Sequence, residues 1–515
     1  MLIVYHNGNK ALELSNTGGT EVAKMNPLTL SEVLAALAIE YPETLFVWCH
    51  IILKEHLNVS EIEQFFHHKK LLLSYNPYKA MYLDNSIGYV EESPFIKINK
   101  EATYPTWQMS SAVGGIHAEV LLALKGKIPL ERDFDYFLSS LAKLGMRQGL
   151  LCYSEPNLLK PQHKTIPTKT CSYTLFRFVK QHYKTQWVFL LFFDLMMYER
   201  KFAIWPLFFS LFHKNRSKAN INLDAVKVQS SKKVIDAATV DVIIPTIGRK
   251  NYLYDVLKDF SRQSLLPSKI IIVEQNPVMG SASELDYIQN EEWPFEIQRF
   301  FIHQAGVCNA RNLALSQTQS EWVFLADDDS RFETTLLVDI FNKIEQYGNL
   351  AVTTAYPQKN EIKLHAKVLQ SSTFGAGNSF VRRDIMNQLR FNMALEFGYG
   401  EDVDFGRQLR NQGHDILYLP KPEILHLKAP VGGFRSTPVL QWQNDIIQPK
   451  PSPTIMLYQI LHNNREQTLG YKTILFFKYY KHQTIKNPLH YYRNFQKQWE
   501  RSVFWANKLK QENEI

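Results

Sequence analysis

The sequence predicts an α/β fold, and three observations carry the prediction. From Val240 onward, short runs of β-branched and aliphatic residues alternate with amphipathic runs at helical spacing, the pattern of strand–helix–strand units over a parallel sheet. One run, Trp322-Val323-Phe324-Leu325-Ala326, leads straight into Asp327-Asp328-Asp329, which puts carboxylates at the carboxyl edge of the sheet, where open α/β sheets bind their ligands. The turn after the first strand of the series, Ile247-Gly248-Arg249, has no Gly-rich phosphate fingerprint, so a dinucleotide site is disfavoured.

At 515 residues the chain is too long for one small core, and several domains are expected. Hydrophobic residues at 45% and charged residues at 21% are ordinary for a globular protein. A net charge of +8 suits an anionic partner, a nucleotide or a phospholipid surface, without demanding one. Cys49, Cys152, Cys171 and Cys308 have no metal or redox spacing and read as reduced intracellular thiols. Met1–Tyr5 reads as a strand before the turn His6-Asn7-Gly8-Asn9, not as a secretory signal, so a cytoplasmic location is expected.

Taken in order, residues 1–170 give strands at Leu2–Tyr5, Thr44–Trp48, Leu71–Ser74 and Leu150–Tyr153. Leu30–Ile39 is a helix with Thr29 or Ser31 as its cap, and Asp133-Phe134-Asp135-Tyr136 opens another that Gly145 should close. Residues 171–236 differ in kind. Trp187–Met197 and Phe202–Phe212 are aromatic, apolar runs of about 11 residues, well short of the roughly 20 that span a bilayer, and they are flanked by Lys and Arg. Two readings stand: helices in the interface of an anionic membrane, or helices buried between domains. Residues 216–236 read as a linker.

The domain at 237–440 begins with the strand Asp241–Thr246, the helix Tyr252–Gln263 and the strand Lys269–Val273, one βαβ unit. Gln298–Ile302 is a third strand, and Gly306–Ala314 opens the helix that feeds 322–326. Strands follow at Ser379–Arg382, at Ile416–Leu419 ending on Pro420, and at Ile424–Leu427; Glu401-Asp402 opens a helix between them. Residues 441–515 form a basic, aromatic, helical tail, which either packs on the catalytic domain or faces anionic lipid; no RNA-binding module is present.

Four patterns, VDVIIPTIGR (240–249), IIIVEQNP (270–277), GVCNARNLAL (306–315) with WVFLADDD (322–329), and FGAGNSFVRRD (374–384) with GYGEDVDFGRQLRNQG (398–413), stand in an order that resembles the family 2 glycosyltransferases of the GT-A fold. The resemblance implies a Rossmann-like mixed sheet flanked by helices, a nucleoside diphosphate sugar donor, first of all a UDP-sugar, and bound Mn²⁺ or Mg²⁺. It places Thr246, Arg249, Glu274, Arg311, Asp328 and Gly377 around the donor, although the family more often has Asp at the position of Glu274. It makes Asp327 and Asp329 the outer acids of the family's metal-binding Asp-x-Asp motif, with His426 as a further ligand. It gives Asp402, beside Glu401, the role of base; a carboxylate at a helix N-terminus is stabilised as the anion that role needs. Asp404 is left to orient the helix or pair with a base, and Arg435, on Gly432–Arg435, to a loop closing over the diphosphate.

The expected activity is inverting transfer of a sugar to a hydroxyl of a glycan or lipid-linked acceptor, of the bacterial polysaccharide type. A metal-dependent nucleotidyltransferase and a non-enzymatic carbohydrate-binding or scaffold protein are the competing classes. The first lacks its Gly-rich, Lys-containing loop, and the second does not account for the acids of 240–435. Glu43–His50 resembles Glu321–Asp328, and Asp133–Tyr136 resembles Asp402–Phe405, with Cys49-His50 in place of the acids. Residues 1–170 therefore read as a degenerate GT-A-like α/β domain, structural or acceptor-binding and not catalytic.

Overall fold

The computed structural model describes residues 1–8, 10–16, 21–24, 28–78, 80–161, 171–359, 361, 365–430 and 439–513. By its internal contacts the chain forms two compact units, Met1–Ser231 with Asn463–Lys478, and Lys232–His462 with Tyr479–Ile515. The tail thus divides: its middle segment joins the first unit and the rest joins the second.

In the first unit the strands are β1 (Leu2–His6), β2 (Ala11–Asn16), β3 (Glu21–Lys24), β4 (Leu45–His50), β5 (Leu71–Tyr75), β6 (Tyr104–Pro105), β7 (Val113–His117) and β8 (Leu151–Ser154), in the spatial order β3-β2-β1-β4-β7-β5-β8-β6. The expected helix begins at Leu30, where the backbone N–H and hydroxyl of Thr29 both donate to Glu32. The helix Phe134–Gly145 starts on Asp133, whose carboxylate accepts from the N–H of Tyr136. Gly145 does not close it. One further turn follows, and Gly149, at φ 86°, supplies the left-handed residue that ends it. The segment 463–478 is tied in by Gln467, which donates to the carbonyls of Glu91 and Ser93, and by Thr473, which donates to the buried Asp194.

In the second unit the strands are β9 (Val240–Thr246), β10 (Lys269–Gln275), β11 (Glu296–Ile302), β12 (Trp322–Ala326), β13 (Ser330–Phe332), β14 (Ala351–Ala355), β15 (Leu369–Gln370), β16 (Asn378–Arg382) and β17 (Leu417–His426). Their order is β11-β10-β9-β12-β16-β14-β17-β13, with β15 on β17. β11, β10, β9 and β12 run parallel, with the helices Lys250–Ser261 and Val307–Leu315 in the crossovers. β16 is antiparallel to β12, which makes the sheet mixed. The strand expected to end at Pro420 continues to His426. Its first half pairs parallel with β14 and its second half antiparallel with β13, with an irregularity at Thr354/Ala355 that accommodates the missing N–H.

Six strands correspond between the two sheets. β1-β4-β7-β5-β8-β6 and β9-β12-β16-β14-β17-β13 share the same sequence of pairings: parallel, antiparallel, antiparallel, parallel, antiparallel. The sheets differ beside β1 and β9. β1 is flanked by the antiparallel β2 and β3, where β9 is flanked by the parallel β10 and β11.

Within β9, Asp241 is 1% exposed and accepts from the N–H groups of Gln319 and Ser320 and from the Ser320 hydroxyl, at 2.6, 2.9 and 2.7 Å. This clamp fixes the turn that delivers β12 and its acids. Asp241→Ala strands buried donors and should cost the second unit about 2–4 kcal/mol in chemical denaturation, with Asp241→Asn costing less. A loss below about 1 kcal/mol would show that the turn holds without it.

Candidate active site at the carboxyl edge of the second sheet

The parallel strands β9, β10 and β12 end together, and their last residues with the following turns line one hollow. Thr246, Arg249, Gln275, Gly306, Arg311, Asp327, Asp328, Asp329, Glu396, Glu401 and His426 all face it, around a volume of about 260 Å³. The strand-end position dictates this: β12 is fully buried from Trp322 to Ala326, so the first residues free to turn toward solvent are the three acids.

The acids have different surroundings. Asp328, 4% exposed, accepts from the Thr246 hydroxyl at 2.7 Å and from Arg249 at 2.6 Å. Burial pushes its pKa up to about 6, with Arg249 and Thr246 opposing. Both its oxygens are thereby engaged, and its role is to hold Arg249 over the site. Burial also acts to raise Asp329, but His426, the N–H of Ala429 at 2.9 Å and Arg249 at 3.1 Å hold it below the usual carboxylate range. Asp327 is more open. One of its oxygens accepts from the Tyr356 hydroxyl at 3.1 Å, and Arg311 approaches at 3.6 Å.

Asp327, Asp329 and His426 each offer a ligating atom, all within 4.8 Å of one another. Two hard oxygens and an imidazole suit Mn²⁺ or Mg²⁺. The charge balance agrees: six carboxylates (Asp327, Asp328, Asp329, Glu396, Glu401 and Asp402) stand around two guanidiniums (Arg249 and Arg311). At separations near 4 Å each unbalanced charge interacts by about 4 kcal/mol at an effective dielectric of about 20, so a divalent cation is favoured. The ring of Tyr356 stacks on His426 with centroids 4.5 Å apart, fixing the imidazole.

Arg311 joins this cluster to the second acidic group. It is 5% exposed, lies in the helix Val307–Leu315 and donates to Asp402 at 3.0 Å, with Glu401 at 3.8 Å. Asp402 stands at the start of the helix Glu401–Asn411, and its other oxygen accepts from the N–H of Ala376 at 3.2 Å. Enclosure raises the pKa of Asp402 while Arg311 opposes it. Burial and then the charge of Asp402 raise Glu401 to about 7.

The remaining expected residues fall as follows. Gly377 packs against the carboxylate of Asp327, and a Cβ there would overlap it. Asp404 is buried and accepts from His462 at 2.6 Å and from Gln408 at 2.7 Å, which makes it a support of the helix. Glu274 is not brought into the hollow. Its oxygens accept from Ser283 and from the N–H of Glu284, so it fixes the 283–284 loop, and the wall position falls to Gln275. Gly398, in the segment leading to the helix Glu401–Asn411, is packed on Thr454, where a Cβ would not fit. Gly432–Arg435 lies outside the described residues.

Sequence reasoning missed Glu396 and Tyr356. Glu396 accepts from the N–H groups of Cys308 and Asn309, at 3.0 and 2.8 Å, and so occupies a helix N-terminus that faces the hollow. It carries no local sequence signal. Tyr356 follows directly on β14, and its place after a strand end was the available clue.

Residues 241–399 match the sequence model of glycosyl transferase family 2. A search of curated proteins finds no match. Among solved structures, this chain is similar to S. aureus TarS at 15% identity and a TM-score of 0.32, covering 46% of this chain and 42% of TarS. It is similar to S. aureus TarS 1-349 in complex with UDP-GlcNAc at 15% identity and a TM-score of 0.33, covering 45% and 70%. It is also similar to GalNAc-T7 with UDP, GalNAc and Mn²⁺ at 12% identity and a TM-score of 0.30, covering 37% and 44%. The chain thus spans well under half the length of full TarS.

If Asp327, Asp329 and His426 hold the ion, Mn²⁺ titration followed by the free-ion electron paramagnetic resonance signal should show Asp329→Ala weakening uptake at least about tenfold, an unmade charged ligand. Hydrogen bonding to Asp329 raises the pKa of His426, so uptake should strengthen as pH rises from 6 to 8 and the imidazole loses its proton. Unaltered uptake in the variant would remove the site.

Proposed function

We propose that the chain, whose residues 241–399 match the glycosyl transferase family 2 model, transfers a sugar from a nucleoside diphosphate donor, UDP first among the candidates, to a hydroxyl of a glycan or lipid-linked acceptor, with inversion. One observation supports this reading above the others: Arg311, which lines the hollow, pairs with Asp327 at 3.6 Å and with Asp402 at 3.0 Å, and so links the metal-type acids to the helix-tip pair, of which Glu401 lines the same hollow. The turn after β9 lacks the Gly-rich, Lys-containing loop of a nucleotidyltransferase, and a binding protein has no use for a base.

In this mechanism the nucleotide lies against Thr246, Ile247 and Gln275, and the diphosphate meets Arg249 and Arg311. Asp327, Asp329 and His426 would hold Mn²⁺ or Mg²⁺, which supplies positive charge to the leaving diphosphate. Asp402 takes the proton of the acceptor hydroxyl as that oxygen bonds to the anomeric carbon from the face opposite the diphosphate. Arg311 and the N–H of Ala376 each hold one oxygen of Asp402, fixing its direction and leaving a lone pair free. Glu401 tunes it: at neutral pH the neighbouring acids share a proton, and transfer requires its loss.

Asp402→Asn should lower kcat by at least about 10³-fold while leaving Mn²⁺-dependent binding of UDP intact. The wild-type rate should fall as pH drops below about 7, and Glu401→Gln should move that limb to lower pH by removing a like charge. Transfer persisting in Asp402→Asn would take the base elsewhere.

We further propose that the first unit rests on an anionic membrane surface. The two apolar runs turn out differently. The helix Gln186–Glu199 buries Val188, Leu191 and Leu195, whereas Phe202, Trp205 and Phe212 are 69%, 65% and 72% exposed, with Phe208 and Phe209 half exposed around the short helix Ile204–Ser210. An exposed aromatic cluster beside Arg200, Lys201, Lys214 and Lys218 fits a lipid interface, and no helix among the described residues is long and apolar enough to cross a membrane. The full chain should co-sediment with phosphatidylserine-containing vesicles, and the pair Phe208→Ser with Phe212→Ser should weaken this at least about tenfold, since each buried Phe contributes about 1.5–3 kcal/mol. Equal sedimentation of both proteins would exclude this patch.

A further inference from the structure

The helix tip that carries Glu401 and Asp402 is gripped from a part of the chain far outside the stretch that matches the family. That match ends at residue 399, whereas the grip comes from the helix Pro453–His462, in the tail but within the second unit. Thr454, Tyr458 and His462 recur every fourth residue and so lie along one face of it. Each meets a different part of the tip. Thr454 packs on Gly398, where a Cβ would stand 2.4 Å from its methyl carbon, and its hydroxyl accepts from the N–H of Tyr399 at 3.2 Å. The Tyr458 hydroxyl accepts from Arg407 at 3.1 Å. The His462 imidazole donates to Asp404 at 2.6 Å. Asp404, Arg407 and Thr454 are all buried, so water does not compete for these bonds.

The segment that leads into the tip is under strain. Phe397 lines the hollow at φ 59°, a left-handed conformation that a residue with a side chain keeps only where its surroundings over-determine it. Both its neighbours are pinned. Glu396 is held by the N–H groups of Cys308 and Asn309, on the helix that carries Arg311, and Gly398 is held by Thr454. The tip itself needs restraint, because Asp402 faces the like charges of Asp327 and Glu401. Contacts at residues 398, 399, 404 and 407 oppose its displacement.

We propose that the helix Pro453–His462 is a clamp that holds the Asp402 carboxylate in its place beside Arg311, with Thr454, Tyr458 and His462 as positioning residues. These three touch no reacting atom and act through the backbone at 398–399 and through Asp404 and Arg407. A base displaced by about 1 Å loses much of its rate, of the order of 10²-fold, while the nucleotide end of the hollow is untouched. That the clamp serves catalysis rests on the transferase reading above; that it holds the tip does not.

The test joins hydrogen–deuterium exchange of the full chain to release of UDP in Mn²⁺ from UDP-glucose, UDP-galactose, UDP-N-acetylglucosamine and UDP-N-acetylgalactosamine, with water in the acceptor's place. In the double variant Tyr458→Phe with His462→Ala, the amides of 399–404 should exchange at least about tenfold faster, and those of Trp322–Ala326 should not change. For a sugar nucleotide that wild type cleaves, kcat should fall at least about tenfold, with KM and Mn²⁺-dependent UDP binding within about twofold of wild type. His462→Gln, which keeps an N–H donor, should regain part of what His462→Ala loses. Exchange at 399–404 unmoved in the double variant overturns the clamp. Faster exchange with unchanged kcat overturns its positioning role, and so does a fall in kcat accompanied by loss of UDP binding. Release of UDP from none of the four by wild type would count against the transferase reading, and the exchange comparison would still decide the clamp. Should the double variant not fold, Thr454→Val, which removes the one hydroxyl bonded to Tyr399, carries the same comparisons.

Discussion

The second unit depends on one buried guanidinium. Removing a charged group from water costs several kcal/mol, and the cost is offset only by close, well-directed partners. Arg311 meets it with Asp402 at 3.0 Å, Asp327 at 3.6 Å and Glu401 at 3.8 Å, and with the ring of Phe391 beneath its plane. The acids need it equally. Asp327 ends β12 and Asp402 opens a helix that follows β16, and without a cation between them their charges would drive these elements apart. On the transferase reading proposed above, the same group also sets the distance between the two acidic clusters that the reaction would use.

Arg249 plays the complementary part on the other side of the acids. Asp328 orients it, and Asp328 is in turn fixed by Thr246 at the end of β9. The middle acid of the triplet is therefore structural in effect although it lies in the site. Substituting it would release Arg249 from the diphosphate side and leave the outer acids facing an uncompensated charge. Tyr356 and Gly377 complete the support: one donates to Asp327 and covers His426, and the other leaves the room that the Asp327 carboxylate occupies.

Much of this was legible in the sequence, for identifiable reasons. The strands β9, β10 and β12 are continuous aliphatic runs because both faces are buried, and such runs announce themselves. The acids stand out because carboxylates directly after a buried strand have one place to go. His426 was named from the resemblance alone, and the structure sets it within 4.8 Å of ligating atoms of Asp327 and Asp329. What stayed hidden depended on contacts far apart in the chain. Glu274 looked like a base-reading acid, yet nothing local shows that Ser283 and Glu284 take up its oxygens. Glu396 reaches a helix N-terminus about 90 residues away in sequence, and such a cap has no motif. Gly398 is a close-packing position that no local pattern announces, because the partner that requires its small size, Thr454, belongs to the tail. The strand through Pro420 was cut short because proline reads locally as a stop, whereas the change of pairing partner there lets the strand pass.

The correspondence between the sheets was visible as two short likenesses, and the pairing pattern explains why only those survived. A strand buried on both faces and a helix tip over a sheet edge are held by packing, so β4 and the helix at Phe134 keep their character even where the chemistry has changed. Where β12 turns into Asp327-Asp328-Asp329, β4 ends in Cys49-His50, and the helix-tip position keeps a carboxylate, Asp135, turned inward onto Ser111. The first sheet has no counterpart of the parallel β10 and β11, and β2 and β3 stand beside β1 instead.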